Sequence, residues 1–386
     1  MKGRDIVMMS LQNWGESLGS NSYNLALEFS KHNRVLYVNR APDRASKLKE
    51  FIKKKKKTAN YEWITITNPD LFVLNTQSVM ESSNFLPSTL FNRINYLNGK
   101  KLAKEISKAI NQLQFKAIIL FIDNDFFRGL HLKDFLKPDK FIYYIRDNLR
   151  THSYFNKHGQ YCEDSIAAKA DLVVANSIFL AKLLKPLNKN SHDIGQGCDF
   201  TLFKDEQVEK PSDFPTNQQP NIGYVGNIVS YRLDLKMIEQ ICIKRKDWNW
   251  IFIGPKDEEF QKSKLNDLSN VYFLGTKKET ELWKYLQHID VCINPQLKNG
   301  MTDGNYPRKI DEYLNYGKPI VARKTDFMIS FSDLVYLYNK IEEFEEAINI
   351  AINENNIHKV NTRINFVRSN TWEKCTNKIY SLMQNV

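Results

Sequence analysis

The stretch DVCINPQLKNGMTDGNYPRKIDEYLNYGKPIVA, Asp290–Ala322, decides how the chain is read. It begins with an apolar run that ends at Pro295, crosses a polar loop with two glycines, and opens a helix at Pro307. Proline suits a first helical position because the N–H it lacks would be unbonded there. Glycine, here Gly317, suits the left-handed turn that ends a helix. A second apolar run, Ile320–Ala322, follows. Strand, loop, helix and strand form the repeating unit of a parallel α/β sheet. Such sheets bind ligands beyond the carboxyl ends of their strands, where helix N-termini offer free N–H groups to a diphosphate. Arg308 and Lys309 in the first turn add formal charge, and Glu312, one turn on, offers a carboxylate to a ribose diol; from spacing alone, Lys309, Asp311 and Glu312 fit a solvated helix face equally well.

The same rhythm extends in both directions. Strands are expected at Asp5–Ser10, Arg34–Asn39, Leu71–Asn75, Ala117–Ile122, Phe141–Ile145 and Leu172–Ala175, with helices near Ser22–Lys31, Leu97–Gln112, Glu163–Lys169 and Ile178–Leu184. The pattern restarts with strands at Asn221–Val225, Trp248–Ile253, Val271–Leu274, Val291–Asn294 and Ile320–Ala322. Helices are expected near Leu235–Ile243, Glu279–His288, Arg308–Tyr316 and Ile341–Asn353. The polar, proline-punctuated stretch Lys204–Pro220 reads as a surface loop. Two Rossmann-like domains result, residues 1–190 and 191–365. In a tail, 366–386, Trp372, Cys375, Ile379 and Met383 mark an amphipathic helix expected near the domain junction.

Composition narrows the class. The 386 residues are 42% apolar and 26% charged, with a net charge of +11, which excludes disordered, collagenous and coiled-coil chains and points to an anionic partner. No apolar run approaches the roughly 18 residues that a membrane span needs, and the N-terminus reads as a first strand rather than a signal peptide. Five widely spaced cysteines, without metal-ligand or redox spacing, indicate a reducing compartment, hence the cytoplasm.

Other residues stand where chemistry is expected. In NIGYVGNIVSYRLDLK, Gly226 and Asn227 follow a strand; glycine permits close backbone approach to a ligand, and Arg232 can pair with phosphate oxygens bidentately. Gly15 and Gly19 lie in the first strand-to-helix loop but do not form the G-x-G-x-x-G dinucleotide fingerprint, which argues against an NAD enzyme. Carboxylates close two strands, Asp123 in FIDNDFF and Asp147 in YYIRDNLRTH; either can act as a general base or cap a helix. The histidines show no ligand spacing, so no metal is expected. Lys53–Lys57, beside Leu48, Phe51 and Ile52, suit an anionic membrane surface or a solvated loop. No nucleic-acid motif accompanies them.

The Pro307–Lys309–Glu312–Tyr313–Leu314 core with the Gly317–Lys318–Pro319–Ile320 run resembles the donor-site helix of GT-B fold glycosyltransferases, especially those of cell-surface polysaccharide synthesis. The resemblance is densest over Asn221–Ala322. It implies α/β architecture of the GT-B kind, two Rossmann-like domains with parallel sheets facing across a cleft. It further implies that Glu312 binds the nucleotide ribose and that Lys309, Arg232 and Lys236 face the diphosphate. Gly254 lies near the nucleotide, Gly275 and Thr276 beside its base, and Gly15 and Gly19 in a cleft loop. Many retaining members carry two glutamates eight apart. The earlier position here is Gly304, which leaves sugar contacts to Asp303, Asn305 or backbone amides. Asp147, then Asp123, are the candidate bases.

The expected function is transfer of a sugar from a UDP- or GDP-linked donor, a co-substrate rather than a cofactor, to a glycan or lipid-linked acceptor. Peripheral attachment through Lys53–Lys57 to the inner face of the plasma membrane accompanies it. A nucleotide-sugar epimerase of the same fold and a non-catalytic binding subunit are the alternatives.

Overall fold

The computed structural model describes residues 2–15, 20–41, 62–77, 81, 83–200 and 206–386. Gly19 and Lys53–Lys57 lie outside them. The chain forms two compact units, 1–195 with 372–386, and 196–371. The chain crosses between the units after Gly195 and after Thr371, and the tail helix belongs to the first unit.

The first unit has strands β1 (Asp5–Ser10), β2 (Arg34–Val38), β3 (Ile64–Asn68), β4 (Leu71–Leu74), β5 (Ile119–Asp123), β6 (Lys140–Ile145), β7 (Leu172–Ala175) and β8 (Ser191–Asp193). They form one sheet in the order β3-β4-β2-β1-β5-β6-β7-β8, parallel except for the β3–β4 pair. Helices α1 (Asn21–Ser30), α2 (Ser88–Gln112), α3 (Phe126–Gly129), α4 (Leu132–Leu136), α5 (Gly159–Lys169) and α6 (Ile178–Leu184) alternate with the strands. The central strands are apolar throughout because both faces are covered. Along β1, Val7 and Met9 join one core with α2 to α6, while Ile6 and Met8 face the other core with α1.

The second unit is a six-stranded parallel sheet of β9 (Asn221–Val225), β10 (Asn249–Ile253), β11 (Val271–Gly275), β12 (Val291–Asn294), β13 (Ile320–Arg323) and β14 (Tyr336–Tyr338). Its order, β11-β10-β9-β12-β13-β14, is the doubly wound arrangement that reverses direction between its first and fourth strands. Here those are β9 and β12. In the first sheet the same reversal lies between β1 and β5. Helices α7 (Leu235–Lys244), α8 (Glu258–Lys262), α9 (Leu282–Gln287), α10 (Lys309–Asn315), α11 (Ile341–Ile352) and α12 (Ile357–Arg368) complete this unit.

Helix α13 (Trp372–Met383) returns to the first unit. Trp372, Cys375, Ile379 and Met383, the residues of the expected amphipathic stripe, pack with Leu25 and Phe29 of α1. The Asn33 amide donates to the Tyr380 hydroxyl at 3.1 Å. No described helix is long and apolar enough to cross a membrane.

Candidate functional site

The strand ends of the second sheet set the backbone of the site. Gly226 follows β9 and Gly254 follows β10, and both have positive φ, 138° and 142°. A Cβ on Gly254 would lie 2.0 Å from the Gly226 carbonyl oxygen, so only glycine fits. The Gly226 N–H donates to Ile253 and the Gly254 N–H to Gly275, both at 2.9 Å, which stacks three glycines along one rim. Asn227 is exposed beside them and its carbonyl accepts from the Tyr224 hydroxyl at 3.0 Å. Thr276, past the third glycine, is exposed.

Helix α10 lies over this rim. Its Tyr313 hydroxyl accepts from the Val225 N–H at 2.9 Å, fastening the helix to the end of β9. Lys309 then crosses the reversal point: a Cβ on Gly226 would be 3.1 Å from its Cε and 3.5 Å from its Nζ. The ammonium also stands 4.9 Å from the centre of the Tyr224 ring. The helix begins two residues after Pro307, which is buried and accepts the Ile310 N–H at 2.9 Å.

The loop between β12 and α10 is held by short-range bonds. The Asn299 side chain accepts from the N–H groups of Met301 and Thr302 and donates to the Tyr231 carbonyl. The Leu297 N–H donates to the Arg232 carbonyl at 2.8 Å, which ties this loop to the segment carrying Arg232. The Arg232 guanidinium is half-buried and stands 5.9 Å from the Tyr231 ring centre. Lys236 is exposed in the first turn of α7, whose cap is Asp234.

Several buried polar atoms of this loop have no hydrogen-bond partner among the described residues. They are one oxygen each of Asp303, Asn305 and Gln296, and both ends of the Asn294 amide. Buried polar groups in folded proteins are normally bonded, so a cluster of such atoms suits a polar ligand. Burial also pushes the Asp303 carboxyl upward. Asp303 and Asn305 are residues to which the sequence points, whereas Asn294 and Gln296 emerge only from the fold. An Asn immediately before a strand-ending proline is the signal that could have found the former.

Glu312 and Asp311 have separate surroundings. Asp311 is fully buried, accepts from the Tyr306 hydroxyl at 2.6 Å, and is pushed up to about 7 chiefly by burial. Glu312 faces a small pocket with Trp283, Leu286, Cys198 and Glu279. The Arg308 Nε is 3.5 Å from its carboxylate, and the same guanidinium pairs with Glu279 in the turn after β11. Burial pushes the Glu312 carboxyl upward, and Arg308 opposes it.

At the reversal point of the first sheet, the Ser10 hydroxyl donates to Asp123 at 2.8 Å and the Arg146 Nε donates to its other oxygen at 2.9 Å. Asp123 is completely buried, with its carboxyl pushed upward by desolvation. Asp147 keeps a side chain that is 18% exposed, 3.5 Å from Arg146. The Asn124 side chain accepts from the Arg146 and Asp147 N–H groups, fixing the turn that presents Asp147. Gly15 has a φ of 84°, and a Cβ placed on it would meet no atom within 4 Å.

These two doubly wound units define the class: the fold is GT-B. Structures covering nearly the whole chain share it. They include the UDP-forming trehalose-phosphate synthase of Burkholderia vietnamiensis, with TM-score 0.72, 10% identity, and coverage of 100% of this chain and 99% of that one. Sucrose-phosphate synthase of Thermosynechococcus elongatus gives 0.68, 15%, 99% and 98%. HepE of Anabaena, in complex with UDP and glucose, gives 0.65, 15%, 99% and 99%. Residues 219–354, which lie in the second unit and include its glycine rim, Lys309 and Glu312, match the family model for glycosyl transferases group 1. At the level of a particular protein, the chain is similar to TuaH of Bacillus subtilis strain 168, named for glycosyl transfer in teichuronic acid biosynthesis. It is 28% identical over 166 residues, and the match spans 41% of each chain, well under two thirds of the relative.

Proposed function

We propose that the protein is a glycosyltransferase of cell-surface polysaccharide synthesis, moving a sugar from a nucleotide sugar to a glycan or lipid-linked acceptor. The observation that carries this reading is the Lys309 ammonium lying across Gly226 at the sheet's reversal point, with Glu312 one turn further along α10. In this reading an acceptor hydroxyl attacks the anomeric carbon of the donor. The bond from that carbon to the diphosphate oxygen breaks, and the electron pair leaves with the nucleoside diphosphate. Lys309 and Arg232 stabilise the charge developing there. Glu312 receives the ribose hydroxyls, and Gly254, Gly275 and Thr276 line the way to the base. Asp303, Asn305 or the backbone amides of their loop hold the sugar.

Asp147 is the better placed base for the acceptor proton, because Asp123 is sealed and both of its oxygens are engaged. The UDP held by HepE and the UDP formed by the trehalose-phosphate synthase support a UDP-linked donor over a GDP-linked one. Cationic side chains supply the charge that a divalent ion would otherwise bring, so full activity in a chelator is expected. Attachment to the inner membrane face through Lys53–Lys57 is part of the same proposal.

Thermal stabilisation across a panel of nucleoside diphosphates tests the site. Ligand at about 100 times its dissociation constant adds roughly 2.7 kcal/mol to stability. A selective shift that disappears in Glu312→Ala supports the reading, and no shift with any nucleotide removes it. Release of an epimerised sugar without acceptor would identify an epimerase. Binding without turnover on any acceptor would identify a binding subunit.

A further inference from the structure

Helix α2 of the first unit carries a second feature that nucleotide chemistry does not use. Over its 25 residues, Phe91, Asn95, Gly99, Leu102, Ala103, Ile106 and Ala109 are buried and define its inner face. At 100° per residue, Leu90, Arg93, Leu97, Lys101 and Lys104 fall on one stripe directly opposite that face. Leu90 is 43% exposed and Leu97 50%. Arg93, Lys100, Lys101 and Lys104 are exposed, and none forms an ion pair with a described residue. The one carboxylate of the helix, Glu105, is only partly exposed and accepts the Gln77 N–H.

The stripe continues past the N-terminus of the helix. Phe85, two residues before Pro87, is 68% exposed. The segment beyond β6 lies against it: Lys157 donates to the Phe85 carbonyl at 2.8 Å, Asn84 donates to the Tyr154 carbonyl, and Tyr154 is 50% exposed. Apolar tips at Phe85, Tyr154, Leu90 and Leu97 thus alternate with cations at Lys157, Arg93, Lys100, Lys101 and Lys104. From Phe85 to Lys104 the stripe is on the order of 25 Å long.

We infer that this stripe is a membrane-docking surface whose partner is an anionic lipid headgroup layer. The cations match its charge. The leucines and aromatic rings match the boundary between headgroups and acyl chains. A polyanion in water, such as nucleic acid, offers the lysines a partner but offers Leu90, Leu97 and Phe85 nothing to enter. The stripe shares no residue with Lys53–Lys57 and stands whether or not the nucleotide-site reading does.

The test is co-sedimentation of the full chain with vesicles of phosphatidylcholine alone and of phosphatidylcholine with 30% phosphatidylglycerol. The expected result is binding to the anionic vesicles only. The variant Lys100→Gln/Lys101→Gln/Lys104→Gln should weaken it roughly 100-fold, three lost charges at about tenfold or less each. Leu97→Ser with Phe85→Ser should weaken it about tenfold or more without changing net charge. All these positions are exposed, so unchanged melting temperature verifies folding. Undiminished binding in both variants overturns the proposal, as does binding lost only when Lys53–Lys57 are replaced. Equal binding to heparin, insensitive to the Leu97 and Phe85 changes, would make the stripe a plain polyanion site and overturn it too.

Discussion

The hydroxyl of Ser10 and the carboxylate of Asp123 meet at 2.8 Å across the point where the first sheet reverses direction. In the second sheet the matching point is spanned by the long side chain of Lys309 over a bare glycine. Two sheets of the same winding therefore treat the same place differently, one closing it with a buried polar pair and the other leaving a cation at the rim.

Asp123 and Asp147 should separate on substitution. Asp123→Asn leaves Arg146 without its buried carboxylate partner and should lower stability by about 1–3 kcal/mol in urea unfolding, with nucleotide affinity unchanged. Asp147→Asn should leave stability within about 0.5 kcal/mol and reduce turnover by about 100-fold or more. The reverse pattern would move the base to Asp123.

Gly254→Ala should be far costlier than Gly275→Ala. The first puts a carbon 2.0 Å from the Gly226 carbonyl oxygen at a φ of 142°; the second meets nothing within 4 Å. Losses of about 3 kcal/mol or more against about 1 kcal/mol are expected from thermal unfolding, and nucleotide binding should vanish only with the first.

Lys309 and Glu312 should split diphosphate from ribose recognition. Lys309→Gln should weaken a nucleoside diphosphate about 10- to 100-fold and leave the nucleoside unaffected, as read by calorimetry. Glu312→Gln should weaken both equally, and the loss should disappear when the ribose lacks its hydroxyls. Arg308→Gln should behave like a partial Glu312 variant, because Arg308 joins that carboxylate to Glu279.

Asp311 makes stability depend on pH with a defined sign. Its carboxyl rises from 3.8 to about 7 on folding. Its contribution is therefore fully present below the unfolded value and is lost as pH rises through about 7. Asp311→Asn should flatten urea midpoints between pH 4 and 7 and should be more stable than the wild type at pH 8. A wild-type midpoint that rises over that interval through this residue would contradict the assignment.

Long apolar strands next to glycine were legible from the chain itself; β9 to β13 and α10 lie within a residue or two of where periodicity puts them. Strands β3, β8 and β14 were not, since three to five residues at a sheet edge carry too few side chains to show alternation. Helix α2 starts nine residues before its expected beginning because Asn95, on its inner face, breaks the apolar period. Helix α12 was hidden by charge: Arg363, 2% exposed, is buried against Glu354, a pairing that reads as a solvated surface in one dimension. In the site, the glycines and the Lys309–Glu312 spacing were visible. The Arg308–Glu279 pair was not, as its partners are 29 positions apart.

The return of α13 to the first unit sets an order on biosynthesis. A ribosome that has finished β8 has made every described strand of the amino-terminal sheet, yet the helix that covers Phe29 and Tyr144 beside α1 is still untranslated. The whole of the second unit emerges first. The nascent amino-terminal half must wait with one apolar face uncovered, a natural stage for a chaperone. The second unit, by contrast, has all of its core residues in one continuous stretch and can close as it leaves the tunnel.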